Sequence, residues 1–225
     1  MGNISENLKN VSERIEKACK KAGRDVSEIT LLAVTKTVPA ERIKEIMDLG
    51  VTSLGENRVQ ELLSKYDDLP DASWHIIGHL QRNKVKSIIG KTVLIHSVDS
   101  LRLAQEIGKQ SEDAGITTDI LLEVNVSGEE SKFGMPLSNV DEMIENCSGI
   151  KGICVKGLMT MAPLGADDSE IRNIFSSLYK KYVDISGKKY DNISMEYLSM
   201  GMSGDFEIAI EEGANIVRVG RGLFQ

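Results

Sequence analysis

Hydrophobic positions follow two different spacings along this chain. Between Ile4 and Ala22 the apolar residues recur four and three positions apart, which predicts one amphipathic helix. Gly23 follows directly and predicts a C-terminal cap. Beyond it, short apolar runs alternate with helical patterns, and each run predicts a buried strand. The predicted strands are 29–34, 51–54, 74–77, 93–98, 120–126, 153–158, 193–198 and 216–219.

This strict alternation of strands and helices predicts the fold class. Strands separated by helical crossovers run parallel to one another. Eight of them in about 200 residues predict a closed TIM (β/α)8 barrel of the α/β class, with an additional N-terminal helix. An open, doubly wound sheet is the alternative with the same alternation. We expect the N-terminal helix to cover the flank that an eighth crossover helix would occupy.

Composition narrows the classes of protein that fit this pattern. The 225 residues carry a net charge of −7, which disfavours broad nucleic-acid binding. No apolar run approaches the ~20 residues of a membrane span, and the N-terminus has no apolar signal core, so we expect a cytoplasmic protein. Three cysteines without a CxxC pair argue against disulfides and a zinc ribbon. No linker interrupts the sequence, so we expect one domain over residues 1–225.

Glycine-rich segments follow the last two predicted strands, where barrels often bind phosphate. Ser203 and Gly204 open the last predicted helix, so their amides would be free to face an anion. Gly220 would let the backbone approach that anion closely. A serine N-cap and a plain turn are the alternative interpretation of these two segments.

Lys36 follows the first predicted strand. On a pleated strand Leu32, Val34 and Lys36 share one face, so an inward Leu32 and Val34 would direct the lysine inward too. Burial favours the neutral form of an amine, and neutral amines form Schiff bases. A solvated or salt-bridged lysine at the end of a strand is the alternative.

Arg218 lies between two valines in the last predicted strand, where an apolar residue would cost less to bury. An inward guanidinium needs a partner. A phosphate site, a lysine that forms Schiff bases and an inward arginine together indicate a site for pyridoxal 5′-phosphate, with Arg218 facing the pyridine nitrogen.

The sequence resembles the pyridoxal phosphate homeostasis protein family, the YggS-like or proline synthase co-transcribed group. The matching motifs span nearly the whole chain in the family's order. They are LLAVTKTVP at 31–39, GENRVQE at 55–61, WHIIGHLQRNK at 74–84, EVNVSGEESKFG at 123–134, GLMTMAP at 157–163, LSMGMSGDFEIAI at 198–210 and VRVGRGLF at 217–224. The resemblance implies one barrel, similar to the N-terminal domain of bacterial alanine racemase.

The resemblance also implies roles at the phosphate end of the site. Ser203, Gly204, Gly220 and Arg221 would surround the phosphate, mostly through backbone amides. The family often has a small hydroxyl residue where this chain has Arg221, so the main-chain N–H is the contact we expect there. Lys132 matches a lysine of the family's mobile loop, which would assist entry or release of the cofactor.

At the other end of the site the resemblance implies that Lys36 holds the cofactor as a Schiff base. Arg218 would face the pyridine nitrogen, and Asn57 would lie beside the ring. Met159 and Ser199 would line the pocket. Core packing at the strand ends is the alternative for the methionine.

The three histidines lack the spacing of metal ligands, so we expect no metal site. His75 alternates with Trp74 on a predicted strand, which favours a hydrogen-bonded core histidine.

Two functions fit such a site. The first is a non-catalytic carrier that acts in intracellular cofactor homeostasis and hands pyridoxal phosphate transiently to apoenzymes. The second is an amino-acid racemase of low activity. An arginine at the pyridine nitrogen makes the ring a poor electron sink. Racemisation then depends on two bases, and related racemases take the second one from an additional C-terminal domain. We therefore favour the carrier, as a monomer. An aldolase-type barrel that forms Schiff bases without a cofactor is a third hypothesis, and it predicts a colourless protein.

Overall fold

The computed structural model of the chain describes residues 3–129 and 132–225. Its nine strands are β1 (Thr30–Val34), β2 (Ser53–Glu56), β3 (Ser73–Ile76), β4 (Leu94–Val98), β5 (Thr118–Asn125), β6 (Met135–Pro136), β7 (Ile153–Met159), β8 (Ile193–Ser199) and β9 (Ile216–Val219). The α-helices are α1 (Ile4–Ala22), α2 (Ala40–Asp48), α3 (Val59–Tyr66), α4 (Leu101–Asp113), α5 (Val140–Cys147), α6 (Asp168–Ser186), α7 (Phe206–Glu211) and α8 (Arg221–Phe224).

Eight of the nine strands close into a parallel barrel. Around the ring the order is β1, β2, β3, β4, β5, β7, β8, β9, and β9 pairs with β1 again. The closing register places Leu32 opposite Arg218. Short β6 adds to β5 outside this ring. The closed ring confirms the predicted barrel and excludes the open sheet.

Side-chain alternation separates the interior of the barrel from the layer between strands and helices. The interior contains a small apolar cluster contributed by several strands. Its fully or nearly buried members are Leu32, Ile77, Leu94, Leu121, Met159 and Ile216, with Val34 packed against them. The inward face predicted for Leu32 and Val34 is therefore confirmed. A larger cluster lies between the barrel and the helices.

Helix α1 begins after the side-chain cap of Asn3 and ends at Gly23, whose φ of 66° gives the predicted left-handed cap. It packs against α7, α8 and α2, burying Val11 and Ile15. Because α7 precedes β9 and α2 follows β1, α1 covers the flank where the ring closes, as predicted.

Several short elements differ from the sequence prediction, including the 3₁₀ helices Val26–Glu28 and Leu137–Asn139. The segment after β3 forms a 3₁₀ helix, Arg82–Ser87, rather than an α-helix. Strand β6 and helix α8 were not predicted, because two and four residues are too short to display a period.

Among residues 3–129 and 132–225, no helix combines the length and hydrophobicity needed to cross a bilayer.

Candidate functional site

A cavity of about 390 Å³ opens at the ends of strands β1, β2, β7, β8 and β9. Seven of the nine residues predicted for the site line it together. They are Lys36, Asn57, Ser203, Gly204, Arg218, Gly220 and Arg221. The remaining wall is mostly apolar, and most of it comes from 161–166 and Ile171, with Val34, Ile77, Met202 and Asp205. Loops of parallel strands meet at one end of the barrel, so residues far apart in sequence converge there.

Lys36 reaches the cavity from its rim. The strand ends at Val34, and Lys36 lies in a turn that is closed by the Val38 N–H, which donates to Thr35 O at 3.0 Å. The lysine is exposed to solvent, which agrees with the alternative of a solvated lysine at the end of a strand and not with a buried amine. The alternation that directs Leu32 and Val34 inward stops before residue 36, because the chain has left the pleated strand there.

Four backbone amides without an acceptor surround one end of the cavity. Within the described part of the chain, the N–H groups of Ser203, Gly204, Gly220 and Arg221 donate to no protein atom. The Gly222 N–H donates to Ser203 Oγ at 3.4 Å, which joins the two loops. Free amides converging on a cavity favour an anion.

Two contacts hold the loop after β8 in place. Arg14 on α1 donates to the Ser203 carbonyl at 3.3 Å, so the additional helix supports this loop directly. The Asp205 carboxylate accepts from the Met202 N–H. Burial raises the pKa of Asp205, and the charge of Arg218 acts against that shift.

Arg218 forms the floor of the cavity and is 3% exposed. Its guanidinium donates to Ser199 Oγ at 2.6 Å and to Thr160 O at 2.9 Å. Burial lowers the pKa of Arg218 to about 10, so it remains cationic at neutral pH. Because a guanidinium has five N–H donors, others remain for a ligand in the cavity.

A hydrogen-bonded chain crosses the barrel interior behind Arg218. His96 Nδ1 lies 2.9 Å from Ser199 Oγ, and His96 Nε2 lies 2.9 Å from His75 Nδ1. Burial lowers the pKa of His75 to about 4 and that of His96 well below its usual value, so both rings are neutral at pH 7. The prediction of His75 as a hydrogen-bonded core residue is confirmed. His96 was missed, although its alternation with Leu94 on one strand face signals it.

Met159 and Ser199 lie one layer below the cavity, not on its wall. Both have no exposed surface. Met159 packs in the apolar cluster inside the barrel. Ser199 is enclosed by its contacts with Arg218 and His96, so it acts on the cavity only through the arginine.

Glu123 on β5 is a buried acid that interacts electrostatically with Arg218 and was not predicted as a site residue. It is 3% exposed, and its Oε2 has no hydrogen-bond partner. Burial, reinforced by Asp99, raises its pKa to about 7, against the opposing charge of Arg218. Its alternation with inward Leu121 on β5 is the signal that could have revealed it.

Asn57 and Lys132 occupy different surroundings. Asn57 lines the cavity, and Gly78 packs so closely on it that a Cβ at position 78 would lie 2.6 Å from Asn57 O. Lys132 Nζ pairs with Glu129 at 3.6 Å, away from the residues that line the cavity. Residues 130 and 131 of the loop predicted to be mobile lie outside the described residues.

Fold and cavity together define a class. The chain is a (β/α)8 barrel whose mouth combines free amides after its last two strands with a lysine and a buried arginine. The family described as "Alanine racemase, N-terminal domain" matches residues 6–225.

The relatives define the family within that class. The chain is 47% identical over 224 residues to the pyridoxal phosphate homeostasis protein of Aquifex aeolicus, covering 99% of this chain and 97% of the relative. It belongs to the pyridoxal phosphate homeostasis protein family.

Two solved structures resemble the chain closely. A protein of unknown function from Bifidobacterium adolescentis is 37% identical, with a TM-score of 0.95 over 98% of this chain and 94% of that one. PipY of Synechococcus elongatus, solved with PLP bound, is 30% identical, with a TM-score of 0.86 over 99% of this chain and 100% of PipY.

Proposed function

We propose that this chain binds pyridoxal 5′-phosphate through Lys36 and serves as a non-catalytic carrier in homeostasis of that cofactor. The observation that carries the proposal is the convergence of a primary amine, a buried guanidinium and four free amides on one cavity. Membership of the family and the PLP-bound PipY structure support it.

The residues present fit the parts of the cofactor. The free amides of Ser203, Gly204, Gly220 and Arg221 suit a phosphate, and the exposed Arg221 side chain adds a positive charge. Arg218 only donates, so it suits the unprotonated pyridine nitrogen. When bound, pyridoxal phosphate supplies an aldehyde that condenses with primary amines and releases water. Lys36 supplies the amine, and Asn57 lies on the same wall.

The proton-transfer groups at the cavity favour a carrier over a racemase. Racemisation needs a base on each face of the substrate. Among the described residues lining the cavity, only Lys36 and Asp205 have side chains suited to that role, and the Asp205 carboxylate already accepts from the Met202 N–H. No tyrosine, cysteine or histidine in the described part of the chain contributes to this wall. Arg218 also leaves the pyridine nitrogen unprotonated, which weakens the ring as an electron sink.

We further propose that apoenzymes that use pyridoxal phosphate receive the cofactor transiently from a monomeric, cytoplasmic carrier. Lys36 at an open rim supports such a transfer, because an incoming amine can reach the attachment point. Three cysteines without a disulfide are typical of a reducing compartment.

The test is covalent trapping at Lys36. The purified protein is loaded with pyridoxal phosphate, its absorption spectrum is recorded, and the linkage is reduced with borohydride and mapped by peptide mass spectrometry. We expect a visible absorption band and a label on Lys36. Both should be absent in Lys36→Ala and unchanged in Lys44→Ala, which replaces an exposed lysine of α2. A label elsewhere or a colourless loaded protein would overturn the proposal. Rapid loss of optical rotation of L-alanine would favour a racemase.

A further inference from the structure

The turn that carries Lys36 is strained. Thr35 to Val38 form a four-residue turn closed by the Val38 N–H donating to Thr35 O, with Lys36 second and Thr37 third. Thr37 has a φ of 62°, and within 3–129 and 132–225 no other non-glycine residue has a positive φ. The third position of such a turn favours glycine, and a β-branched residue is strained there. Strain of this kind persists only where the surroundings impose it.

Glu61 on α3 holds the strained residue from one side. The Thr37 N–H donates to Glu61 Oε2 at 3.1 Å. The Thr37 hydroxyl donates to Lys36 O at 2.6 Å, so the two turn residues are also tied to each other. The Thr37 N–H thus has a carboxylate as its acceptor. A hydrogen bond to a charged acceptor is stronger than one to a neutral acceptor.

A buried ion pair holds the turn from the other side. Glu56 Oε1 accepts from Thr35 Oγ1 and from Lys65 Nζ, both at 2.7 Å. Lys65 Nζ also donates to Thr35 O at 2.9 Å, the same carbonyl that closes the turn. The side chain of Glu56 is fully buried and that of Lys65 is 12% exposed. The residue before Lys36 is therefore fixed through both its side chain and its carbonyl.

Burying the Glu56–Lys65 ion pair costs more free energy than filling the same space with apolar side chains would. Glu56 Oε2 is buried with no hydrogen-bond partner. Burial raises the pKa of Glu56, against the bonds from Lys65 and Thr35. A buried ion pair of this kind is often no more stabilising than an apolar pair of similar volume, so its value lies in the geometry it imposes. Glu56 and Glu61 both belong to the GENRVQE motif, of which only Asn57 lines the cavity.

We infer that Glu56, Lys65 and Glu61 are positioning residues that hold the turn so that Lys36 Nζ faces the cavity. The inference rests on the proposed attachment of the cofactor at Lys36. The three side chains act through Thr35 and Thr37, on either side of the lysine, and none of them lines the cavity itself.

Glu61→Ala is the first test, because Glu61 is half-buried on α3 and does not belong to the hydrophobic core. We expect cofactor affinity to fall about tenfold, as for the loss of a hydrogen bond to a charged group. Glu61→Gln keeps an oxygen acceptor but loses the charge, so it should restore most, but not all, of the wild-type affinity. Glu41→Ala removes an exposed acid on α2 and is the matched control.

The buried pair is tested with the double variant Glu56→Gln/Lys65→Met, which keeps volume and avoids leaving one buried charge alone. Its fold is checked by urea denaturation. We expect a cofactor affinity at least about tenfold weaker than that of the wild type, since Thr35 O loses its ammonium donor.

A second readout uses the cofactor-free protein. Each variant is methylated with formaldehyde and cyanoborohydride, and the rate at Lys36 is compared with that at exposed Lys44 by peptide mass spectrometry. Loosening the turn should change the Lys36/Lys44 rate ratio by at least about twofold in Glu61→Ala and in the double variant, but not in Glu61→Gln or Glu41→Ala.

The outcomes separate this inference from the proposed function. If the wild type is not trapped at Lys36, the proposed function fails. If the wild type is trapped at Lys36 but Glu61→Ala and the double variant match its affinity and rate ratio, the positioning role alone is wrong. Loss of affinity with an unchanged rate ratio also contradicts it, because the turn would not have moved.

Discussion

Arg218 donates a 2.6 Å hydrogen bond to the buried hydroxyl of Ser199, and this contact joins the cavity to the polar chain inside the barrel. Since Ser199 Oγ accepts from the arginine, its own hydrogen is free to bond to His96 Nδ1. His96 Nε2 then carries the proton donated to His75 Nδ1. The hydrogen bonds thus run in one direction, from Arg218 through Ser199 and His96 to His75. Both histidine rings stay neutral beside the cationic guanidinium of Arg218.

Ser199→Ala should destabilise the protein without unfolding it. The change leaves an N–H group of Arg218 and Nδ1 of His96 buried without partners, which costs about 1–3 kcal/mol. Urea denaturation at pH 7 measures the loss. Ser186→Ala, which removes an exposed hydroxyl on α6, is the control and should stay within about 0.5 kcal/mol of the wild type. Equal stability of the two variants would show that the Ser199 hydroxyl is not needed to satisfy the arginine.

Glu123→Gln should stabilise the protein at high pH and leave it nearly unchanged at low pH. The folded-state pKa of about 7 lies above the ordinary glutamate pKa of 4.5, so the folded state binds more protons between these values. The contribution of Glu123 to stability is therefore complete below about pH 4.5 and is lost as the pH rises through 7. At pH 8 the buried carboxylate costs roughly 3 kcal/mol, which the amide avoids.

The measurement is the free energy of unfolding in urea at pH 5 and pH 8. His75, whose folded-state pKa is about 4, shifts stability in the opposite direction but is present in both proteins, so the comparison isolates Glu123. Exposed Glu142→Gln on α5 is the control for the removal of one carboxyl group. A Glu123→Gln variant with the wild-type pH profile would mean that the carboxyl titrates normally.

Helix α1 should contribute a large part of the stability. Ile15 is 5% exposed in the interface that α1 forms with the barrel's outer helices, so Ile15→Ala should cost about 2–4 kcal/mol. Exposed Glu16→Ala is the neighbouring control. Deleting residues 1–23 should lower the melting temperature further, because it uncovers the flank where the ring closes. Unchanged melting of the deletion variant would refute this role.

The strands were predictable because the inner layer of a parallel barrel needs short apolar runs wherever the chain crosses it. The turn after β1 was not, since strand alternation carries no information about residues beyond the last ladder pair. That limit explains why the inward position of Leu32 could be predicted, while the sequence left both a buried and a solvated Lys36 open. The four residues that we assign to the phosphate were predicted from glycine-rich spacing and family resemblance, and they line one cavity.

The polar chain in the interior was only partly predictable. Period-two alternation on β4 and β5 places His96 and Glu123 inward, yet a sequence does not reveal which inward polar groups find partners across the barrel. Those partners depend on the stagger of strands that are distant in sequence. Ser199 and His96 illustrate this, because they lie 103 positions apart and meet at 2.9 Å.

Gly204→Ala should separate cofactor binding from folding. A Cβ built at position 204 meets no atom within 4 Å, so the cofactor-free protein should keep its stability or gain slightly from a less flexible unfolded chain. The same methyl group would project from a loop whose amides we assign to the phosphate, so affinity for pyridoxal phosphate should fall about tenfold or more. Absorption titration and thermal melting without cofactor provide the two readouts. Gly187→Ala, at the end of α6 and outside the cavity, is the matched control and should change neither. Full affinity in Gly204→Ala would place the phosphate away from this loop.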